Sequence, residues 1–151
     1  MKATKPFILM LEDDEDDRHI TKTFFAANSY NFTLKFLAQA EEVLPYLELC
    51  VREGRQLPNL VILDKNVPAG GGMDVLRDIK THDTFRVLPV VMISGSTYPE
   101  DITEAYRLGV NSYIAKPFSS EHTAKTIQNF LNYWLATVEF PGIPVNSMSV
   151  I

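Results

Sequence analysis

Four polar sites in this sequence each come directly after a short apolar run. The four sites are Glu12-Asp13-Asp14, Asp64, Ser94 and Lys116-Pro117. Carboxylates are ligands that hard divalent cations prefer, and an ammonium or a hydroxyl group can bind the oxygens of a phosphoryl group. If the fold brings the four sites together, their residue types predict a metal-dependent phosphoryl site.

The apolar runs have the length and composition of buried parallel strands. The predicted strands span residues 7–11, 33–36, 60–63, 90–93 and 112–115. Segments with helical spacing of apolar residues lie between them, at about 16–27, 40–52, 73–80, 100–108 and 120–138. Strict alternation of strand and helix favours one parallel sheet with right-handed crossovers. Ligands bind beyond the carboxyl ends of such strands, so the four polar sites would meet at one edge of the sheet.

Two further local predictions concern the helices and the loops. The first helix is expected to place Ile20, Phe24 and Phe25 on its inner face. Gly54 would end the second helix, because glycine readily adopts the left-handed conformation found after helix C-termini. Residues 66–72, which include three glycines, are predicted to form a loop.

Size and composition limit the classes of protein to consider. With 151 residues, 46% hydrophobic and 22% charged, the chain resembles one ordinary globular domain. The formal net charge of −5 argues against binding nucleic acid through its backbone, and no apolar stretch is long enough to span a membrane. The single Cys50 cannot form a disulfide within the chain, which fits a reducing compartment. We expect a cytoplasmic protein with one domain over residues 1–138 and a C-terminal tail over residues 139–151.

The acidic run over residues 12–17 has a simple alternative explanation. Acids suit the positive end of a helix, and charge runs are usually solvated. Asp64 could likewise be a turn or N-cap residue, but an aspartate that closes a fully apolar strand needs a partner for its charge. Clustered carboxylates also raise one another's pKa unless a cation compensates. Mg²⁺ would meet both requirements, because it accepts carboxylate and backbone carbonyl ligands.

Lys116 is stronger evidence for a site than Ser94. A serine at a strand end is usually a turn residue, although Gly95 after it lets the backbone approach a ligand closely. A partly buried lysine after a strand makes sense if its ammonium reaches an acid or a phosphoryl oxygen. Pro117 raises the chance of a cis Lys116–Pro117 bond, since cis bonds are essentially a proline feature.

Four segments resemble, in order and spacing, the receiver domain of two-component response regulators. The resemblance covers residues 5–138. The matching segments are 8–14 (ILMLEDD), 63–68 (LDKNVP) followed by Gly72, 88–95 (LPVVMISG) and 109–118 (GVNSYIAKPF). One such segment would be weak evidence, whereas four in register are specific.

The resemblance implies a flavodoxin-like α/β fold, a doubly wound parallel sheet with strand order 2-1-3-4-5. It implies that Asp64 accepts a phosphoryl group from a histidine kinase or a histidine phosphotransfer protein. Glu12 and Asp13 would hold Mg²⁺ together with Asp64 and the backbone carbonyl of Asn66. In this family the positions of Asn66 and Ser96 help to set how long the phosphoryl group lasts.

The same resemblance assigns the other polar residues. Lys116 would pair with Asp64 and afterwards with a phosphoryl oxygen. Ser94 would hydrogen-bond another phosphoryl oxygen while Tyr113 turns inward, so that these two residues form a conformational switch. The response would be a population shift read by an unknown downstream protein. Such a phosphoacceptor catalyses its own phosphotransfer and slow dephosphorylation and is not a turnover enzyme.

The C-terminal part of the sequence indicates how the domain would be used. The segment after Val138 has no lysine or arginine, so we expect a stand-alone receiver without a DNA-binding module. Residues 130–135 and the tail resemble single-domain regulators paired with phytochrome-like kinases. Exposed aromatic residues on the last helix would suit a homodimer face; alternatively, Trp134 packs on its own sheet. The tail would dock on the domain or on a partner, or be disordered.

Two alternative functions remain to be weighed. A pseudo-receiver would keep the fold as an interaction scaffold without being phosphorylated. A hydrolase with an aspartate nucleophile would normally carry a second acid two residues after it, where this chain has Asn66. His19, His82 and His122 form no ligand pair at metal spacing.

Overall fold

The computed structural model describes residues 4–68 and 71–143, and within them five strands alternate with five α-helices. The strands are β1 (Phe7–Leu11), β2 (Thr33–Leu37), β3 (Leu60–Asp64), β4 (Val90–Ser94) and β5 (Ser112–Ala115). The helices are α1 (Glu15–Ala26), α2 (Val43–Arg52), α3 (Gly71–Thr81), α4 (Pro99–Arg107) and α5 (Ser120–Ala136). Short 3₁₀ helices at Ala40–Glu42 and Phe85–Val87 precede α2 and β4.

The five strands form one parallel sheet in the order β2-β1-β3-β4-β5, which confirms the predicted doubly wound topology. Leu11 of β1 pairs with Leu63 of β3, so the residues that follow both strands emerge side by side. Ser94 of β4 pairs with Ala115 of β5, and the N–H of Lys116 donates to the Ser94 carbonyl at 2.8 Å. All four predicted polar sites therefore lie at the carboxyl edge of one sheet.

Two apolar layers cover the two faces of the sheet. Successive strand residues point to opposite faces, so Leu9 and Leu11 lie in one layer while Ile8 and Met10 lie in the other. The first layer continues into α2, α3 and α4, and the second continues into α1 and α5. All five residues of β1 and of β3 are buried, which explains why these strands are continuous apolar runs in the sequence.

Several local predictions need correction. Ile20 is 45% exposed instead of packed inside, because it lines the groove between α1 and α5 and is not part of the apolar layer that contains Phe25. Gly71 and Gly72 belong to α3 and not to a loop. Residues 69 and 70 of that predicted loop lie outside the described residues. Gly54 does follow α2, with a positive φ of 66°.

The segment after α5 packs against the domain. Trp134 is buried, and its ring stacks on Phe140 with centroids 6.3 Å apart. This favours the second interpretation of Trp134, packing on its own domain, whereas Tyr133 beside it is exposed. Ile143 reaches the opposite apolar layer. Residues 144–151 of the predicted tail lie outside the described residues. Within the described part, none of the helices has the length and apolar character needed to cross a bilayer.

Candidate functional site

Asp64 is the buried centre of the carboxyl edge. It is the last residue of β3 and is only 3% exposed. Its Oδ2 lies 2.8 Å from Nζ of Lys116, and its Oδ1 accepts a hydrogen bond of 2.9 Å from the backbone N–H of Asn66. Both carboxylate oxygens are therefore held by a donor, which fixes the orientation of the group.

Two glycines allow the chain to pass closely behind Asp64. A Cβ on Gly72 would lie 2.5 Å from the Asp64 carbonyl oxygen, and one on Gly71 would lie 2.6 Å from the carbonyl oxygen of Lys65. The N–H of Gly72 donates to that Lys65 carbonyl at 3.2 Å. On the other side, the N–H of Lys65 donates to the carbonyl of Ile93 at 3.0 Å. The backbone after the aspartate is thus clamped between α3 and β4.

Glu12 and Asp13 follow β1 and approach Asp64. Glu12 is buried and Asp13 is exposed, and one carboxylate oxygen from each of the three acids lies within 4.8 Å of the others. Burial, followed by repulsion from Asp64, raises the pKa of Glu12 to about 7. The N–H of Asp14 donates to Glu12 Oε2 at 3.3 Å, which opposes this shift but does not cancel it.

Lys116 provides the positive charge of the site. Besides Asp64, its Nζ lies 3.4 Å from Glu12 Oε1 and 3.4 Å from Asp17 Oδ2. Burial alone would lower the pKa of Lys116, but the hydrogen bond to and the attraction of Asp64 raise it above the usual value. The described part of the chain has no cis peptide bond, so the Lys116–Pro117 bond is trans and that prediction is wrong.

The donor set fits a hard divalent cation. Glu12, Asp13 and Asp64 bring three carboxylates together, two of them buried, and the single ammonium of Lys116 does not balance them. Oxygen ligands with a surplus of negative charge are what such a cation requires, and a buried carboxylate whose pKa is raised by its neighbours is relieved by it. The carbonyl of Asn66 stays a prediction as a further ligand.

Ser94 and Tyr113 lie on the β4–β5 side of the same edge. Ser94 is fully buried, and its Oγ accepts hydrogen bonds from the N–H of Ser96 at 2.9 Å and from Asn66 Nδ2 at 3.4 Å. The hydroxyl of Tyr113 donates to the Ser96 carbonyl at 2.9 Å. Asn66 thus links Ser94 to the acidic pocket, and the hydroxyl of Tyr113 is linked to Ser94 through Ser96.

Two residues of this pocket, Asp17 and Arg18, are missing from the sequence prediction as site residues. Arg18 Nη1 donates to the Glu12 carbonyl at 2.8 Å, and Asp17 contacts Lys116. Both lie in the first turn of α1, which Asp14 caps by accepting the Asp17 N–H at 2.9 Å. Because α1 begins directly after the acids, its first turn must lie close to the end of β1. The position of the helix start in the sequence could therefore have predicted that Asp17 and Arg18 are near the pocket.

Comparison with known proteins supports the same interpretation. The family model described as response regulator receiver domain matches residues 8–128. The chain is 35% identical over 144 residues to the probable methanogenesis regulatory protein FilR2 of Methanothrix harundinacea, covering 94% of this chain and 92% of that protein. It is 29% identical over 136 residues to response regulator Rcp1 of Synechocystis sp., covering 89% of this chain and 92% of that protein.

Solved structures share the fold over nearly the whole chain. The Mn²⁺-bound form of Rcp1 has a TM-score of 0.82 at 28% identity, covering 91% of this chain and 99% of that one. The phosphorylated cyanobacterial phytochrome response regulator RcpA has a TM-score of 0.79 at 25% identity, covering 92% of this chain and 100% of that one. With the buried aspartate, the acidic pocket and the sheet order described above, these matches lead to one conclusion: the chain belongs to the response regulator receiver domain family.

Proposed function

We propose that this chain accepts a phosphoryl group on Asp64 from a histidine kinase or a histidine phosphotransfer protein, in a reaction that requires Mg²⁺. The phosphorylated chain then changes conformation and signals through contacts with another protein. Receiver domains are signalling proteins and not turnover enzymes. A cytoplasmic location fits the buried free thiol of Cys50, which is typical of a reducing compartment.

The observation that carries this proposal is the environment of the Asp64 carboxylate. It is buried, yet both of its oxygens have donors, and two further carboxylates and an ammonium surround it. A purely structural aspartate would need one partner for its charge, and Lys116 already supplies it. The additional buried Glu12 makes the pocket too negative to serve packing alone, and a metal-dependent reaction explains it.

The geometry supports in-line transfer with little covalent work by the protein. An oxygen of Asp64 attacks the phosphorus of a phosphohistidine, a P–O bond forms, and the P–N bond breaks with its electron pair going to the imidazole. The N–H of Asn66 and the ammonium of Lys116 orient the carboxylate for this attack. A bound Mg²⁺, held by Glu12, Asp13, Asp64 and the Asn66 carbonyl, would neutralise charge on the transferred oxygens. Lys116 would then pair with one of those oxygens.

Ser94 is suited to sense the phosphoryl group. Two groups already donate to its Oγ, so its own hydrogen remains as the donor that can point toward Asp64. Ser96 connects Ser94 to Tyr113, so a shift of the Ser94 hydroxyl reaches the tyrosine through one residue. We propose Ser94 and Tyr113 as the switch that biases the population between two conformations.

Intact-mass spectrometry after incubation with Mg²⁺ and acetyl phosphate tests the proposal. One labile phosphoryl adduct is expected on the wild type and none on Asp64→Asn. Asp74→Asn is the matched control, because Asp74 is an exposed aspartate of α3 and should not affect the adduct. The absence of any adduct at saturating donor and metal would favour the pseudo-receiver scaffold. An adduct that persists on Asp64→Asn would mean that another residue is the nucleophile.

A groove beside the pocket suggests where the phosphoryl donor docks. It has a volume of about 330 Å³, lies between α1 and α5, and opens at Lys116. On its rim Phe118 is 99% exposed and Ile20 is also exposed, and exposed apolar groups beside a charged site mark a protein contact.

The phytochrome-like identity of the kinase stays a prediction, since FilR2 is the more similar of the two relatives described.

The variant Phe118→Ala tests this docking site. It should slow transfer from purified phosphorylated kinases or phosphotransfer proteins by about tenfold, the size expected for one important interface aromatic. Labelling by acetyl phosphate should not change. Tyr133→Ala, which removes an exposed aromatic from the far end of α5, is the control. Equal effects of Phe118→Ala on both donors would contradict docking at this groove.

A further inference from the structure

An ion pair connects α4 to Lys65, the residue that follows the proposed phosphoacceptor Asp64. Lys65 Nζ lies 3.3 Å from Oδ2 of Asp101 in the first turn of α4. Only 18% of the Lys65 side chain and 32% of the Asp101 side chain are exposed, so the pair is better shielded from solvent than ion pairs on the open surface. A lysine this close to the acidic pocket could have joined the carboxylates there, but it reaches away to α4.

Asp101 is also the acceptor for Ser96. The Ser96 hydroxyl donates to the same Oδ2 at 2.8 Å. This hydrogen bond, followed by the nearby Lys65 ammonium, lowers the pKa of Asp101 and keeps it charged. Two donors from two different loops therefore converge on one oxygen of α4.

Ser96 is the point at which both switch residues meet. Its N–H donates to Ser94 Oγ, its carbonyl accepts from Tyr113, and its hydroxyl donates to Asp101. Ser96 therefore connects Asp101 of α4 to both Ser94 and Tyr113.

The other end of the ion pair has a rigid base. The N–H of Lys65 donates to Ile93 of β4, and its carbonyl accepts from the N–H of Gly72 in α3. The pair therefore joins the first turn of α4 to a backbone segment that is hydrogen-bonded on both sides, directly after the phosphoacceptor.

We propose that Lys65 and Asp101 are positioning residues of the switch. Their ion pair holds α4 and Ser96 so that Tyr113 stays turned toward the loop between β4 and α4, and it thereby favours the conformation that a phosphoryl group on Asp64 also favours. This inference rests on the proposed function, because it concerns how that phosphoryl group is sensed.

The test uses Lys65→Met, Asp101→Asn and the double variant. Methionine keeps the apolar stem, and asparagine keeps an acceptor for Ser96, so the chain should fold normally. Hydrogen exchange of the α4 amides should accelerate by about two- to fivefold in each single variant, the size expected for a partly exposed ion pair. The affinity for beryllofluoride, a phosphoryl mimic, measured with Mg²⁺ by calorimetry, should fall by a similar factor. The double variant should show no faster exchange and no weaker beryllofluoride binding than either single variant, because both substitutions break the same ion pair.

A matched control is the pair Arg77–Asp74 of α3, which has a shorter contact of 2.8 Å and touches neither switch residue. Arg77→Met and Asp74→Asn should change neither measurement. A second check uses Tyr113→Phe: if the pair acts by positioning, Asp101→Asn should reduce beryllofluoride affinity less in that background than in the wild type. A merely structural role would give the same loss in both backgrounds.

The outcomes separate this inference from the proposed function. If the wild type binds beryllofluoride but neither exchange nor affinity changes in Lys65→Met and Asp101→Asn, the positioning role is wrong and the phosphoacceptor function stands. Additive losses in the double variant would also overturn it, because independent residues add. If the wild type forms no adduct and binds no beryllofluoride, the proposed function fails, while hydrogen exchange still decides whether the pair holds α4.

Discussion

The two halves of the carboxyl edge of the sheet are built from different interactions. The half around the ends of β1 and β3 consists of charged groups: the carboxylates of Glu12, Asp13 and Asp64 have oxygens within 4.8 Å of one another, and the ammonium of Lys116, which follows β5, contacts Glu12 and Asp64. The half around the loop after β4 is built on hydrogen bonds among the uncharged groups of Ser94, Ser96 and Tyr113, and Ser96 also donates to the charged Asp101. Asn66 connects the halves through a long hydrogen bond of 3.4 Å to Ser94.

The difference suggests a division between chemistry and response. Charges in a buried pocket have few satisfactory arrangements, because an unpaired buried charge is costly, so this half is expected to be rigid. Neutral hydrogen bonds at a half-buried edge are each worth about 1 kcal/mol and can be exchanged for others, so this half can have two states. The following predictions test that division, from the largest expected effect to the smallest.

Lys116→Met should nearly abolish phosphorylation. Removing the ammonium leaves Asp64 and Glu12 without their cation, and loss of one preorganised charge contact lowers a rate on the order of 100-fold. The rate of adduct formation with acetyl phosphate and Mg²⁺ measures this. The exposed Lys125 of α5 offers the control Lys125→Met, which should keep the wild-type rate. If Lys116→Met formed the adduct as fast as the wild type, the charged half would tolerate the loss of its ammonium.

Gly72→Ala should destabilise the fold by about 1–3 kcal/mol, the usual range for overpacking. The new Cβ would lie 2.5 Å from the Asp64 carbonyl oxygen, so the backbone behind the aspartate must shift. The free energy of unfolding in urea measures the loss. Gly95→Ala is the control, because nothing lies within 4 Å of the position that its Cβ would take. Equal stability of both variants would contradict a tightly clamped aspartate.

Mg²⁺ affinity should rise with pH up to about 7, the raised pKa of Glu12, and then level off. The pKa of Glu12 in the folded protein lies above the usual 4.5, so between pH 4.5 and about 7 the folded protein binds more protons than the unfolded chain. The metal must displace the proton on Glu12 in this range. The affinity should therefore increase by up to about tenfold per pH unit below 7. Folding stability without metal should fall as pH rises through the same range. Calorimetric titration at several pH values measures the affinity, and a persistent slope in Glu12→Gln would contradict this assignment.

Tyr113→Phe should have the smallest effect. It removes one hydrogen bond to Ser96 and should cost about 1 kcal/mol of stability, while adduct formation by acetyl phosphate continues at nearly the wild-type rate. Urea unfolding and intact-mass spectrometry measure the two quantities. Tyr98→Phe, on an exposed tyrosine at the start of α4, is the control for removing a hydroxyl. A large loss of adduct in Tyr113→Phe would break the division between the two halves.

Residue types alone predict Asp64 and Lys116 of the charged half, whereas Ser94 and Tyr113 are assigned only through the resemblance to receiver domains, and Asp17 of the charged pocket is not predicted. Asp64 and Lys116 stand out because a charged residue directly after an apolar strand contradicts ordinary packing. Serines and tyrosines at strand ends are common, so Ser96 gave little local signal for its role in the network. The pair of Lys65 and Asp101 depends on where two loops meet, and residue type and spacing contain no information about that contact.

The predicted elements show the same limit. The ends of the apolar strands agree within one residue, since burial on both faces requires a continuous apolar run. The helical spacing of Ile20 and Phe24 predicts an inner position for both, but spacing does not tell whether an open groove or a packed layer lies beneath a residue. The second helix begins with a 3₁₀ turn at Ala40–Glu42, a detail that the apolar pattern does not distinguish from the α-helix.

The stack of Trp134 on Phe140 at the end of α5 provides an intrinsic fluorescence probe. Trp134 is the single tryptophan in the sequence, so any indole emission reports on its contact with Phe140. Fourteen residues of helix separate it from the start of α5 beside the acidic pocket, about 20 Å at the rise of an α-helix. Fluorescence should therefore respond to release of the segment after α5 and remain nearly silent when a metal or a phosphoryl group binds. Steady-state emission can thus follow C-terminal undocking separately from signalling chemistry at the other end of the molecule.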